Sequence, residues 1–344
     1  MRAIVMHEFG GPEVLRCEEV ETPKPGPGDI LVKVGAVSVN RTLDLHVRAG
    51  EYVVVPTLPH VLGVDPAGTV VEVGEGVEQP KVGDRVALQG TVRCWQCEQC
   101  LSGADAACPN GQHLGVHRWG GYAEYVVVPA QNGFLIPDGV SFAEASIITR
   151  HFPTAFNLLE NKARLKADEW VLVMGAAGAL GSCLVQLAKH IGARVIAAAG
   201  SDERVRACME NGAEFGVNYR EQNLAEEVMR ISGGHGADVV AENIADPTLW
   251  PGAFNSLAYE GRLVTAGAHG GGTVPLDVKR LYHQRLTIMG SPGSNYRDVT
   301  RALDIASRGW IRAFVGKVMP LREAAEAHRI VERNDVIGKV MLEP

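Results

Sequence analysis

Trp170-Val171-Leu172-Val173-Met174 runs straight into Gly175-Ala176-Ala177-Gly178-Ala179-Leu180-Gly181, and then into Ser182-Cys183-Leu184-Val185-Gln186-Leu187-Ala188-Lys189-His190-Ile191-Gly192. Five apolar residues read as a buried strand, the glycine cluster as a turn, and the apolar-periodic stretch as a helix. Strand, glycine turn and helix in that order form the context in which a pyrophosphate meets backbone N–H groups at a helix N-terminus, an approach that a Cβ would block. A structural turn that binds nothing is the competing reading. A second strand at 194–198 follows at the right distance and favours dinucleotide binding.

The tip of that second strand bears on the choice of dinucleotide. A carboxylate there accepts from a ribose 2′-hydroxyl, whereas a 2′-phosphate is repelled by it and calls for basic groups. Here Ala199, Gly200 and Ser201 occupy the tip, Asp202 and Glu203 already belong to the next helix, and Arg204 and Arg206 lie nearby. This pattern favours NADP(H) over NAD(H). The alternative leaves Asp202 as a helix N-cap and both arginines solvated.

Working outward, Trp170–Met174, 194–198, Ala237–Ala241, 261–265 and 285–289 are short β-rich runs separated by helical stretches such as 180–191 and 202–211. Alternation of this length predicts a doubly wound parallel sheet. From residue 1 to about 129 the pattern is different: runs at 30–39, 68–73, Arg85–Leu88 and 122–128 lie between Pro and Gly clusters and read as a mainly β half. After about 292 come helices near 297–308 and 321–332 and a closing strand at 339–342. The predicted organisation is therefore residues 1–150, an inserted nucleotide domain at 151–292, and a return to the first domain at 293–344.

The whole chain agrees with this division. Its 344 residues suit two domains, each able to bury a core, and 46% hydrophobic with 21% charged residues gives disorder no support. Forty glycines suit a protein of tight turns. A net charge of −7 and the lack of any basic run argue against nucleic acid or an anionic membrane as partner. No apolar stretch reaches the roughly 20 residues needed to span a bilayer, and residues 1–10 lack a signal-peptide core, so a cytoplasmic location and a small-molecule substrate are expected.

Four of the seven cysteines crowd together as Cys94-x-x-Cys97-x-x-Cys100 followed by Cys108. Four thiolates at these intervals predict one tetrahedral Zn²⁺, closed to water and substrate and hence structural. An iron–sulfur cluster and free thiols are the competing readings. Cys17, Cys183 and Cys208 are scattered and read as inert thiols.

The glycine turn, the cysteine spacing and the order of the two halves resemble the medium-chain dehydrogenase/reductase superfamily over essentially the full length. MRAIVMHEFGGPEVL at 1–15 and GKVMLEP at 338–344 are similar to its quinone oxidoreductase and enoyl reductase branches. The resemblance implies an α/β fold, a GroES-like β-rich domain plus a Rossmann doubly wound parallel-sheet domain. It also implies that Cys94, Cys97, Cys100 and Cys108 form the structural-zinc lobe of the alcohol dehydrogenase members.

The catalytic-zinc ligands of those members are missing. Asn40 or Arg41, Val64 and Arg150 stand at those positions, in SVNRTLDLH, Gly63-Val64-Asp65 and TRHFPT. Valine cannot ligate, arginine opposes a cation, and His46, His60, His113, His117 and His151 show no paired spacing. Without a Lewis acid to hold an alkoxide, hydride transfer to a quinone or an α,β-unsaturated carbonyl becomes the expected chemistry.

What the resemblance implies for single residues is as follows. Asn40 resembles an Asn near the nicotinamide, although the following acid, Asp44, is four residues on where the family has three. Tyr52, in RAGEY, resembles a cleft Tyr and is the candidate proton donor. Arg150 and His151 are candidates to orient a substrate carbonyl or stabilise an oxyanion. Ser201, Arg204 and Tyr219 reproduce the spacing found around a 2′-phosphate, Lys339 resembles a basic residue near the adenosine end, and Ala266, Gly267 and Ala268 look like a loop lining the nicotinamide. Two other readings stay open: a zinc-independent alcohol or carbonyl dehydrogenase, and a cofactor-binding protein without turnover. By resemblance, a homo-oligomer, dimer or tetramer, is expected.

Overall fold

The structure, a computed structural model, describes residues 1–291 and 293–344. It divides into two compact units, one of Met1–Arg150 with Asn295–Pro344 and the other His151–Ser294. The domain boundary expected at Pro292 falls on the one residue outside the described set.

In the second unit six strands form one parallel sheet. Their spatial order is Phe215–Asn218, Arg194–Ala199, Trp170–Met174, Ala237–Ala241, Leu257–Thr265 and Thr287–Gly290. Numbered along the chain this is 3-2-1-4-5-6, the doubly wound order in which the topology switches direction beside the first strand. Trp170–Met174 is buried throughout because helices cover both faces of its sheet, which explains why it reads as a continuous apolar run. Helix Ala179–Ile191 begins as expected within one residue and ends on Gly192 in the left-handed region (φ 90°).

In the first unit the long strand Asp29–Ser38 is the organiser. It pairs antiparallel with Ala67–Val73, Tyr125–Pro129 and the closing strand Lys339–Glu343, in a seven-stranded sheet completed by Arg85–Leu88, Gly133–Leu135 and Val315–Pro320. A separate three-stranded sheet contains Arg16–Glu19, Arg2–Met6 and His60–Val61. The register Met341↔Ser38 brings Lys339 beside the chain that leaves Ser38, joining it to Val39, 300 positions away.

Two local readings need adjustment. The strand expected at 122–128 starts at Tyr125, because Tyr122 sits in a turn whose backbone bonds to Leu62 and Ile4. The segment with Arg150 and His151 is a helix, Phe142–Phe156, although it contains Pro153 and passes directly into the π-helical turn Asn157–Lys162. Proline removes one N–H from the ladder, and such a local widening is a usual accommodation. Among the described residues no helix is long and apolar enough to cross a membrane.

Candidate functional site

The cysteine lobe forms around the short strands Thr91–Val92 and Gln112–His113. Its four sulfurs lie within 4.8 Å of one another, with Cys94 and Cys108 Sγ 3.5 Å apart and Cys97 and Cys108 Sγ 3.9 Å apart. Tetrahedral Zn–S bonds of about 2.3 Å require sulfur separations of about 3.8 Å, so these residues fit the ion. The N–H groups of Gln96 and Cys97 aim at Cys94 and, with the Gln96 contribution largest, hold its thiol down to about 6. Behind the lobe Arg93 is buried and ion-paired with Asp105 at 2.6 Å, and Asp105 also accepts the N–H of Tyr296 at 2.9 Å. Arg93 also acts electrostatically on Cys100 and Cys108, which places a positive group beside thiolates that outnumber the charge of one Zn²⁺.

In the second unit the glycine turn is shaped for an anion. Gly175 has φ 60°, and a Cβ at Gly181 would fall 2.2 Å from the Gly175 carbonyl oxygen, so helix and turn approach as only glycine allows. Gly178 caps helix Ala179–Ile191 without a side chain, and no acidic residue occupies the first turn. The N–H groups of Ala179, Leu180 and Gly181 thus start the helix without intrahelical acceptors, flanked by the buried Ala176 and Ala177.

At the next strand tip Ser201, not Asp202, is the N-cap, with Oγ accepting from the Arg204 N–H at 3.4 Å. Asp202 instead accepts from Asn218 Nδ2 at 2.8 Å. A Cβ placed at Gly200 would lie 3.0 Å from the Tyr219 hydroxyl and 3.2 Å from Arg220 Nε. Phenol and guanidinium therefore converge over the strand tip, beside Ser201. Burial raises the Tyr219 phenol, while Arg220 and Arg204 pull it down, which places both cations within electrostatic reach.

The region around Asn40 is a buried polar layer in the first unit. Asn40 Nδ2 donates to Asp65 Oδ2 at 3.1 Å and to Ser38 Oγ at 3.2 Å, and its Oδ1 accepts from Lys339 Nζ at 2.6 Å. Lys339 Nζ also donates to the Val39 carbonyl at 2.9 Å. Asp65 accepts both the hydroxyl and the N–H of Ser38, at 2.6 and 3.1 Å. Asp44 Oδ2 takes the Asn40 N–H at 2.8 Å and the Tyr122 hydroxyl at 3.0 Å. His328 Nε2 lies 3.1 Å from that hydroxyl, its Nδ1 lies 3.1 Å from Arg48, and Arg48 bonds to Glu332 at 2.6 Å.

Burial, opposed by the Asn40 N–H, pushes the Asp44 carboxyl up to about 6. Burial, assisted by Arg48, pushes His328 down to about 3, so its imidazole is neutral at pH 7. Because Arg48 can only donate, His328 Nδ1 accepts, Nε2–H donates to the Tyr122 oxygen, and the Tyr122 hydroxyl donates to Asp44. Val64 is fully buried next to this layer in sequence.

Known proteins resemble this chain over nearly its whole length. Residues 26–138 match the family model described as alcohol dehydrogenase GroES-like domain, and residues 179–308 match the one described as zinc-binding dehydrogenase. The chain is 34% identical to an NAD-dependent alcohol dehydrogenase of Sulfolobus acidocaldarius, over 99% of each chain. It is 31% identical to a quinone oxidoreductase of Sus scrofa, covering 99% of this chain and 97% of the relative. A solved NAD-dependent alcohol dehydrogenase superposes with a TM-score of 0.96 at 40% identity, covering 100% of both chains. This chain belongs to the medium-chain dehydrogenase/reductase superfamily.

Membership makes it an oxidoreductase that uses a nicotinamide cofactor, and its four-cysteine lobe fits the structural zinc of this superfamily. The structure gathers the cysteines, the glycine turn, and Ser201 with Arg204 and Tyr219. It keeps Asn40 with Lys339, which is 6% exposed and whose ammonium faces Asn40. Tyr52 is half-buried against the core of the first unit, just past the end of helix Leu43–Ala49. Arg150 and His151 are consecutive and half-buried on helix Phe142–Phe156, and Arg150 acts electrostatically on His113. Ala266, Gly267 and Ala268 follow strand Leu257–Thr265, where the Ala266 N–H is bound by Asn243.

Sequence reasoning missed Arg220, Asp65, Tyr122 and His328. Arg220 could have been found from its place directly after Tyr219. The other three carry no local signal, since their partners lie 25 to 206 positions away.

Proposed function

We propose that this dehydrogenase/reductase is NADPH-dependent and transfers hydride to a quinone or an α,β-unsaturated carbonyl without a catalytic metal. The observation that carries this is Asn40, locked between the Lys339 ammonium and Asp65 where the zinc-dependent members place a ligand. A buried cation there opposes a second cation, and both Asp65 oxygens are already committed to Ser38.

When bound, NADPH supplies the hydride. The N–H groups at the start of helix Ala179–Ile191 would hold its pyrophosphate, and Ser201, Arg204, Tyr219 and Arg220 its 2′-phosphate. The Sulfolobus relative carries NAD dependence in its name. In this chain two arginines within electrostatic reach of Tyr219, with Asp202 bonded to Asn218, support the phosphate. Lys339, committed to Asn40 and Val39, serves to hold the Asn40 loop. Tyr52, Arg150 and His151 remain to donate a proton or to stabilise the enolate oxygen that develops once the hydride has arrived.

The test is nicotinamide absorbance decay with NADPH and NADH in parallel against quinones, enones and aldehydes. Enone or quinone turnover with NADPH is the expected result. Turnover of aldehydes alone would favour a zinc-independent alcohol or carbonyl dehydrogenase, and NADPH binding without any turnover a non-enzymatic role.

A further inference from the structure

The π-helical turn Asn157–Lys162 is followed by Ala163-Arg164-Leu165-Lys166, a segment that lies before strand Trp170–Met174 and has no part in the chemistry so far. Ala163 and Leu165 are buried, while Lys162, Arg164 and Lys166 are exposed. Three cations thus stand on the outer side of five consecutive residues.

The backbone that carries them is fixed from beneath. Arg262, on strand Leu257–Thr265, donates to the Ala163 carbonyl at 2.7 Å and to the Arg164 carbonyl at 3.4 Å, and pairs with Glu169 at 2.7 Å. Glu169 also accepts the Lys166 N–H at 2.9 Å. Between these ties Arg164 takes φ 51°, a region that residues with a Cβ seldom enter and that persists only where the surroundings impose it.

Lys162, Arg164, Lys166 and Arg262, together with Asn161 and Thr287, line one groove of about 390 Å³. Among the described residues no acidic and no aromatic side chain lines it. The Glu169 carboxylate is taken up by Arg262 and the Lys166 N–H, and Asp168 acts electrostatically on Arg194. The two ammonium groups and the Arg164 guanidinium have no hydrogen bond or ion pair among the described residues. In a chain of net charge −7, such a local surplus of positive charge raises the concentration of anions at the groove.

The groove lies apart from the cofactor groups. The registers Val171↔Val239, Val239↔Arg262 and Arg262↔Thr287 put Arg262 and Thr287 in the row of Val171, near the end of the sheet where Trp170–Met174 and Thr287–Gly290 begin. The glycine turn follows Met174, about 10 Å further along the strand direction.

We propose that this groove is a second anion site, which binds a small oligophosphate of two or three linked phosphate groups. Guanidinium and ammonium groups are the side chains that hold phosphate oxygens, and one phosphate is too small to engage three cations on alternate residues. With no aromatic ring for a base to stack on, the phosphate chain and not a nucleoside is the part recognised.

The experiment is calorimetric titration of the zinc-loaded, full-length protein, saturated with its nicotinamide cofactor so that those groups are filled, with inorganic tripolyphosphate at low salt. One site per chain is expected, weakening as salt is raised because the charges are exposed. Replacing Lys162, Arg164 and Lys166 together by Ala should weaken it about thirtyfold, as the loss of three exposed charge contacts implies, with cofactor affinity and thermal midpoint little changed. Replacing Lys24, Lys81 and Lys317 by Ala alters the net charge equally but lies outside the groove, and should leave the affinity within about threefold. ATP should bind no more tightly than tripolyphosphate.

The proposal is overturned if the cofactor-saturated protein takes up no tripolyphosphate, or if the two triple variants lose affinity equally, which would mean diffuse attraction. Binding of ATP without tripolyphosphate, or a parallel loss of cofactor affinity in the groove variant, would also overturn it.

Discussion

The cysteine lobe and the Asn40 layer both belong to the first unit, and both gather polar side chains, yet they are built in opposite ways. The lobe takes four identical ligands from fifteen consecutive residues, 94 to 108, and needs little more than a loop of the right length. The layer takes seven different side chains, Ser38, Asn40, Asp44, Asp65, Tyr122, His328 and Lys339, from five stretches of chain. A metal supplies its own binding energy and so tolerates a loose framework. Buried hydrogen bonds contribute only a little net stability each and must be placed by the whole sheet. The Ser201–Tyr219–Arg220 cluster lies between the extremes, uniting a strand tip with a Tyr-Arg pair about twenty residues on.

The largest effect should separate the two regions. Cys100→Ser is expected to remove most of the zinc, which elemental analysis should find at about one ion per chain in the wild type. The melting midpoint should fall by about ten degrees, while NADPH affinity changes little because the cofactor groups lie elsewhere. A second zinc per chain would break the reading that Asn40 replaces a metal ligand.

Next, Lys339→Met strands the Asn40 oxygen and the Val39 carbonyl without a donor and leaves the nearby Asp44 without that cation. A loss of about 2–4 kcal/mol in chemical denaturation is expected, with zinc content unchanged. A loss of zinc as well would show that the two regions are one cooperative element.

Arg220→Ala should weaken NADPH by about tenfold to a hundredfold and NADH hardly at all, because a charge-assisted bond to the 2′-phosphate is lost only with the former. Arg204→Ala should act in the same sense. Equal losses with both nucleotides would remove these arginines from the phosphate.

The smallest effect is a slope. Asp44, raised in the fold to about 6, binds a proton on folding between about pH 4 and 6, so it stabilises as the pH falls. His328, lowered to about 3, remains neutral in the fold while the unfolded chain protonates near 6.5, so it destabilises as the pH falls from about 6.5 to 3. Between pH 4 and 6 the two nearly cancel. Asp44→Asn removes the first contribution and should uncover a fall of stability with acid of about 1.4 kcal/mol per pH unit in that window, measured by urea unfolding at several pH values. A slope identical to the wild type would mean that Asp44 is ionised in the fold.

The same contrast explains how far the residues could be read without a fold. Strand Trp170–Met174, its glycine turn and the first turn of its helix were legible because their signals are contiguous. Ser201, Arg204 and Tyr219 were singled out through the family resemblance, while Arg220 was overlooked although it is adjacent. The N-cap went to Ser201 rather than Asp202, a choice made when Asn218 claimed the carboxylate. Asn243 carries no signal along the chain, and only the pairing of its strand with the next gives its amide a direction.

By itself, the sequence determined the doubly wound sheet, the β-rich first half and the cluster of four cysteines. Periodicity, glycine position and ligand spacing act within a few residues and do not wait for the fold. Only tertiary structure decided that Lys339 faces Asn40, that Asp44, Tyr122 and His328 form one directed chain, and that Asn243 keeps a free donor. Those outcomes depend on how distant strands, helices and loops are brought together, and for Lys339 a shift of one residue in its strand would turn the side chain to the other face of the sheet.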